Sequence, residues 1–491
     1  MRQLSAMDAQ FFAIENDRNY GHVGSVAILD PATAPGGRFD AERLKELIAR
    51  RLHLVPPFTW RLQEVPLGLD WPYWVEDEHF DLDFHVRELA LPAPGSMAQL
   101  VEQTGRIYSR RLDRARPLWE LYVVHGLEGG RMALVSKVHH AAVDGMSGGE
   151  ILAMLYDLTP EPRDVGPADG VPTAAAPGAL ELVGRAAAVL PRAPRNVAAR
   201  AARLLPHLDA GLSALGAPGT TAASRVLSRA RAAVSRGDAP AVLERPPVRP
   251  PRGAYDGRVS PHRIFGLGSL PLTEVKRVKD HFGVKVNDVV TSLVAGAARE
   301  HLLRHDALPD RPLVAQIPVS VRTDAERGTF GNQISVMLVA IPTDVGDPVQ
   351  RLRATAATMR SAKERHNALP AKALQDLTTF LPAALHARAA RRMVELSPRL
   401  GLRPPFNIIV SNVPGPPVDI YVAGARLEAL HPLSIITDGA GINVTVMSYR
   451  DAIDVGITAD REQTPDVQTL VEGMRAELDA LGAATGPSTG R

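Results

Sequence analysis

The stretch Val135-Ser-Lys-Val-His-His-Ala-Ala-Val-Asp-Gly-Met-Ser-Gly-Gly-Glu-Ile-Leu152 decides how the chain is read. Met132 to Val135 and Val138 are apolar-leaning and predict a buried strand that runs into His139 and His140. Ser147 and Glu150 then have capping-box spacing, which predicts a helix through Ile151, Leu152, Leu155 and Tyr156. The tandem histidines therefore fall where a strand meets a tight loop before a helix. Period-two alternation puts His140 on the face of Leu134 and Val138 and His139 on the opposite face, so one imidazole alone faces a given substrate.

Imidazole titrates near neutrality, so a neutral histidine can take the proton of a hydroxyl as that hydroxyl attacks a carbonyl. Help of this kind is worth about 10²–10⁴ in rate. Asp144 could fix the loop through an arginine or backbone amides, and Gly145 allows a positive φ or a close backbone approach. The structural alternative is equally concrete: a histidine on an apolar strand is more often a hydrogen-bonded core residue than a catalyst. A metal is not expected at this motif, because adjacent strand histidines diverge and no third ligand stands nearby at zinc spacing.

Outward from the motif, the chain divides. At 491 residues it exceeds one ordinary core. Its 45% hydrophobic and 22% charged residues are those of a soluble globular protein. It has no cysteine, which excludes disulfides, thiolate metal sites and a cysteine nucleophile. The amino terminus lacks an apolar core of signal-peptide length, and no run of about 18 apolar residues occurs, so a cytoplasmic or peripheral protein is expected.

Composition and periodicity divide the chain into three segments. Residues 1–160 carry a helix after Ser5, a strand over Gly21–Leu29, a helix over Arg38–Leu52, an aromatic-rich packing stretch from Trp60 to Phe84, and a helix over Ser96–Arg111. Strands over Leu118–His125 and Arg131–Val138 are joined by a turn at Gly129-Gly130. Residues 161–255 are rich in Pro, Ala and Arg. Between Arg185 and Arg236 they hold nine arginines and one acid, Asp209. At about 100° per residue, Arg192, Arg195, Arg200 and Arg203 share one face and Val197, Ala201, Leu204, Leu205 and Leu208 the other. This basic amphipathic arm reads equally as a packed connector or as a peripheral lipid-surface contact. Nucleic acid is not expected, since no aromatic residues interleave the arginines. Residues 256–491 alternate helices and strands, with Asn287 placed as a helix N-cap and Asp288 at the helix's positive end. Ser411-Asn412 precede a rigid Pro414-Gly-Pro416 turn and offer small polar groups at a domain seam. Trp119 opens the strand paired with the histidine strand and reads as a packing residue.

The motif His139-His-Ala-Ala-Val-Asp-Gly145 resembles the HHxxxDG signature of CoA-dependent acyltransferases. Arg116-Pro-Leu-Trp-Glu120, Asn287-Asp-Val-Val290, Val410-Ser-Asn-Val-Pro-Gly-Pro416 and the opening Leu4 to Phe12, Glu15 and His22-Val-Gly24 resemble one family within it, the bacterial wax ester synthase/diacylglycerol acyltransferases. The resemblance implies an α/β fold of two chloramphenicol-acetyltransferase-like sandwich domains flanking a central active-site tunnel. It implies acyl-CoA as co-substrate, no further cofactor, and diacylglycerol or a long-chain alcohol as acceptor. His140 is then the general base, His139, Asp144 and Gly145 complete the motif, and Asn287, Asp288, Ser411, Asn412 and Trp119 lie at or behind the site. Two other readings stand beside it: a related acyltransferase with another lipid or polyketide acceptor, and a lipid-body surface protein with a vestigial site.

Overall fold

The computed structural model describes residues 1–143, 154–166, 176–189, 250–253, 255–320, 334–367 and 404–486. The histidine strand, Arg131–His139, lies between the strands His22–Asp30 and Trp119–Leu127, antiparallel to both. It is central in a six-stranded sheet, which explains its unbroken apolar run: both faces are covered. Leu29, Leu134 and Val138 meet the helix Ala41–Arg51, whose Leu44, Leu47 and Ile48 are fully buried. Each such side chain contributes roughly 1.5–3 kcal/mol. Val26, Ile28, Ala133 and Val135 meet Leu100, Ile107 and Tyr108 of the helix Met97–Tyr108. Ser96 and Gln99 close that helix with a reciprocal capping box, so its start is fixed where the sequence places it.

A second six-stranded sheet has the order Ile334–Ile341, Leu313–Ser320, Ile408–Val413, Ile442–Tyr449, Ala452–Asp460 and Arg263–Pro271. The helix Val286–Arg304 lies over it, buried on nearly every side from Val289 to Ala298, with the helix Gln468–Ala484 against it. The two sheets are coupled through the helix Met97–Tyr108. Phe265 and Leu267 of the second sheet belong to its apolar cluster, and the Tyr108 and Phe265 rings meet edge-on at 5.2 Å.

The segment 256–491 is not confined to its own sheet. Tyr421–Val422 and Ala425–Leu433 cross over and extend the first sheet, pairing Leu433 with Gly24 and Arg426 with Asp30. These two strands thus place residues numbered beyond 256 in the first sheet. A correction concerns Asn287. The Val286–Arg304 helix starts two residues earlier than a cap at Asn287 implies, with Lys285 as N-cap. The Asp288 carboxylate closes the end by accepting the Lys285 N–H at 2.9 Å. The helix Ala179–Val189 holds the start of the basic arm. It docks through Leu182 and Ala186 onto Val65, Tyr73 and Val75, and Arg185 pairs with Glu181 at 2.7 Å. Arg192, Arg195, Arg200 and Arg203 lie outside the described residues, as do Asp144 and Gly145.

Candidate active site

The strand ends at His139, and His140 already opens a short helical turn, His140–Val143. Alternation along the strand therefore does not govern His140. What separates the two imidazoles is the helix Ala6–Ile14. Its consecutive phenylalanines each receive one of them: Phe12 stacks on His139 with centroids 4.2 Å apart, and Phe11 stacks on His140 at 4.3 Å. Ser5 caps this helix, accepting the Asp8 N–H at 3.1 Å, and so sets where the two rings stand. His139 is fully buried, whereas His140 retains exposure. His140 is thus the more exposed residue of the pair.

The tautomer of His139 is set by its contacts. Ala141 N–H donates to Nδ1 at 3.2 Å, so Nε2 carries the proton and faces Glu15 Oε1 at 3.6 Å. Glu15 is itself buried. It accepts the Gly21 N–H at 3.0 Å and Arg114 Nη2 at 2.6 Å. Burial opposes its charge, but His139, Gly21 and Arg114 together outweigh burial and hold the carboxyl far below the usual range. Burial also lowers the pKa of His139, with Glu15 only partly restoring it, so this ring is neutral at physiological pH.

Gly21 joins the two halves of the arrangement. Its N–H binds Glu15 and its carbonyl accepts the His140 N–H at 2.7 Å. A Cβ at Gly21 would lie 2.6 Å from His139 Nε2, so no other residue admits the imidazole there. Next to it, a Cβ at Gly24 would lie 2.0 Å from the Ser136 carbonyl, which explains the glycine of His22-Val-Gly24. The remaining residue of the strand end, Lys137, is fully buried. It donates to the carbonyls of Arg110 (2.6 Å) and Ile107 (3.2 Å) with Glu120 at 3.6 Å, and burial pushes its pKa down to about 8.

Beyond His140, the chain returns through Met154–Tyr156 and is gripped by Arg51. This buried guanidinium binds both oxygens of Asp157, at 2.8 and 2.9 Å, and the Met154 carbonyl at 3.0 Å. Asp157 in turn pairs its backbone with Tyr421. The chain on either side of residues 144–153 is therefore anchored, by Gly21 before them and by Arg51 after them.

The second half brings its own polar groups to one place. Asn412 Nδ2 donates to Asn287 Oδ1, joining the end of the Ile408–Val413 strand to the first turn of the Val286–Arg304 helix. Ser411 lies beside Asn412 and is half-buried, and Asp288 is buried in the helix's first turn. The next strand residue, Val413, packs into the apolar cluster that holds Ala141 and Ala142, the two residues after His140. Trp119 does not join this group. Its indole donates to the Phe58 carbonyl at 2.7 Å and stacks between Phe58 and His85, which makes it a core residue behind the histidine strand.

A profile of the wax ester synthase/diacylglycerol acyltransferase catalytic domain matches residues 4–290, and one of the C-terminal domain of the same family matches residues 330–482. The chain belongs to the wax ester synthase/diacylglycerol acyltransferase family. A Mycobacterium tuberculosis protein provisionally named a diacylglycerol O-acyltransferase is 35% identical over 98% of this chain and 90% of its own length. A second from the same organism, named in the same provisional way, is 34% identical over 99% of this chain and 98% of its own. Among solved structures, a wax ester synthase/diacylglycerol acyltransferase from Marinobacter aquaeolei is 28% identical and covers 99% of this chain and 100% of its own, with a TM-score of 0.67. The first condensation domain of the CDA synthetase, 17% identical with a TM-score of 0.53, shares the fold. Family membership and the fold's two-domain α/β architecture are as the sequence motifs imply.

In this family member, sequence reading missed Glu15 and Arg114 as the residues that hold His139. Glu15 was visible within the amino-terminal block and Arg114 lies two residues before Arg116-Pro, but nothing local announces a contact between residues 99 apart.

Proposed function

We propose that the protein moves a fatty acyl group from acyl-CoA to diacylglycerol or a long-chain alcohol, with His140 as general base. The observation that carries this reading is the placement of an accessible imidazole at a sheet end, in a chain that matches the family over nearly its whole length. His140 takes the acceptor's hydroxyl proton, the oxygen attacks the thioester carbonyl, and the tetrahedral intermediate expels CoA thiolate, which recovers the proton. No acyl-enzyme is required, in keeping with a chain without cysteine. Asp144 and Gly145 shape the loop, and the Asn287–Asn412 pair with Ser411 supplies polar groups for the developing oxyanion. Asp288 holds Asn287 in place by fixing the helix start, and Trp119 backs the strand.

Both substrates partition into lipid, yet no helix among the described residues is long and apolar enough to cross a membrane. Peripheral contact with a membrane or lipid body through the basic arm, residues 185–236, fits both facts. The deciding experiment offers labelled palmitoyl-CoA with diacylglycerol and hexadecanol in parallel to the parent and to His140→Ala. Transfer by the parent alone supports the reading; equal transfer by both, or none by the parent with either acceptor, overturns it.

A further inference from the structure

At the far end of the Val286–Arg304 helix, His301 and the C-cap residue His305 stand one turn apart on the same face. Asp466, in the segment leading to the Gln468–Ala484 helix, places one carboxylate oxygen 3.1 Å from His301 Nε2 and the other 3.0 Å from His305 Nε2. One ligand atom from each of the three residues lies within 4.8 Å of the others. In a tetrahedral site with bonds of about 2.0–2.1 Å, neighbouring donor atoms are about 3.3 Å apart, so small side-chain adjustments suffice to receive an ion.

A further contact orients the cluster. His301 is buried, and its Nδ1 lies 3.0 Å from the Tyr255 hydroxyl, itself buried. Burial keeps the phenol protonated, so Tyr255 serves as acceptor when Nδ1 carries the proton and as donor when it does not. Such a partner on the remote ring nitrogen is what fixes a metal-bound imidazole with Nε2 free to coordinate. His305 and Asp466 remain partly exposed, so an ion has a route in and a position left for water.

We propose that His301, His305 and Asp466 form a zinc-class divalent site that staples the end of one helix to the start of another. Two imidazole nitrogens and one carboxylate suit Zn²⁺ or a neighbouring late transition metal. Magnesium and calcium require more oxygen ligands than a single aspartate offers. The site stands apart from the acyl-transfer chemistry. Asn287 and His301 lie on the same helix, and at about 1.5 Å per residue the span between them is about 21 Å. Its role is therefore to stabilise the pairing of two helices from segments 165 residues apart.

The test uses the full chain freed of metal with a chelator. Zinc titrated by calorimetry binds at about one equivalent, raises Tm by about 3 °C or more at saturating concentration, and magnesium does neither. Cobalt(II) in its place gives the intense visible absorption of a low-coordinate site. His305→Ala and Asp466→Asn each weaken zinc binding at least tenfold and abolish the zinc-dependent Tm rise, while transfer to a short soluble alcohol is unchanged. His305 is exposed enough for the first variant to fold, and Asp466→Asn preserves the shape of the second. The proposal is overturned if zinc binds with no change in either variant, since another histidine then holds it. It is equally overturned if zinc leaves Tm unmoved; the three residues are then an ion-paired cluster and nothing more.

Discussion

Phe12 and His139 lie ring on ring, with centroids 4.2 Å apart and planes 4° from parallel, while the neighbouring Phe11 receives His140 in the same way. One ring is sealed in and the other reaches solvent. His140→Ala therefore removes the proposed base from a half-buried position at the cost of its stack on Phe11. Acyl transfer falls at least 10²-fold with Tm within about 2 °C of the parent. His139→Ala instead empties a stacked, fully buried position and costs about 2–4 kcal/mol of stability. Parallel thermal melts and single-turnover assays separate the two, and a reversed ranking would remove His140 from its assigned role.

Glu15 is linked to His140 through the Gly21 peptide and through His139, so its effect is positional. Glu15→Gln keeps the Gly21 contact but strips the charge that faces Arg114 and His139. Arg114 is about one-third exposed, which limits the stability loss to about 1–3 kcal/mol. The displaced His140 lowers kcat by about tenfold or more with KM little changed. The carboxyl's pKa is depressed below its ordinary 4.5, so its stabilisation is fully present above that pH and fades as pH falls further. The difference between parent and variant should accordingly be flat above about pH 5 and shrink below it. A difference that grows on acidification would contradict the assignment.

Arg51 Nη2 donates to both carboxylate oxygens of Asp157, with both side chains buried. Arg51→Ala or Asp157→Asn leaves an uncompensated buried group and costs about 3–5 kcal/mol. Arg51→Met combined with Asp157→Leu lies closer to the parent than either single change, because no charge is then stranded. A double-mutant cycle by urea denaturation reads the coupling; additive single effects would refute it.

Burial lowers the pKa of three fully buried histidines, His22, His139 and His431, below the ordinary 6.5. Below that pH the unfolded chain takes up protons that the folded chain resists, so stability is lost as pH falls from about 7 towards 5. The urea midpoint should drop steadily over this window, well before the carboxylates titrate. A midpoint unchanged between pH 7 and 5.5 would mean that these rings accept protons in place.

Changing Arg192, Arg195, Arg200 and Arg203 to glutamine weakens sedimentation with anionic vesicles at least tenfold, at about 1 kcal/mol for each charge near the surface. Added salt reproduces the loss, and transfer to a soluble alcohol is unaffected. Undiminished vesicle binding by the quadruple variant would leave the segment as a connector, which is what its docked first turns at Leu182 and Ala186 already are.

The local signals in the chain were legible because local forces decide them. Ser96 and Gln99 announce a helix start, Gly129 and Gly130 a hairpin turn, and the apolar run before His139 a strand covered on both sides. Asn287 misled because asparagine is a common cap, whereas here the acid three residues after Lys285 closes the helix and moves its start back by two. The histidine faces misled for a related reason: alternation is a property of strands, and the strand stops one residue short of His140. Glu15, Arg114 and the cluster at His301 escaped because their partners are distant in sequence and share no spacing rule. No local pattern brings Asp466 to a helix that ends at residue 304.

The crossing strand Ala425–Leu433 has a bearing on how the molecule is made. Its pairing of Arg426 with Asp30 joins residues 396 apart, so the strand His22–Asp30 keeps an open edge until most of the protein has been synthesised. At about 5–20 residues per second, that edge waits on the order of 20–80 s beside the ribosome. An unpaired strand invites association with other chains for all of that time. Cutting the gene between the halves would make the delay permanent: the first fragment would carry an unsealed sheet and should aggregate when expressed alone, and co-expression of the second should bring it back into solution.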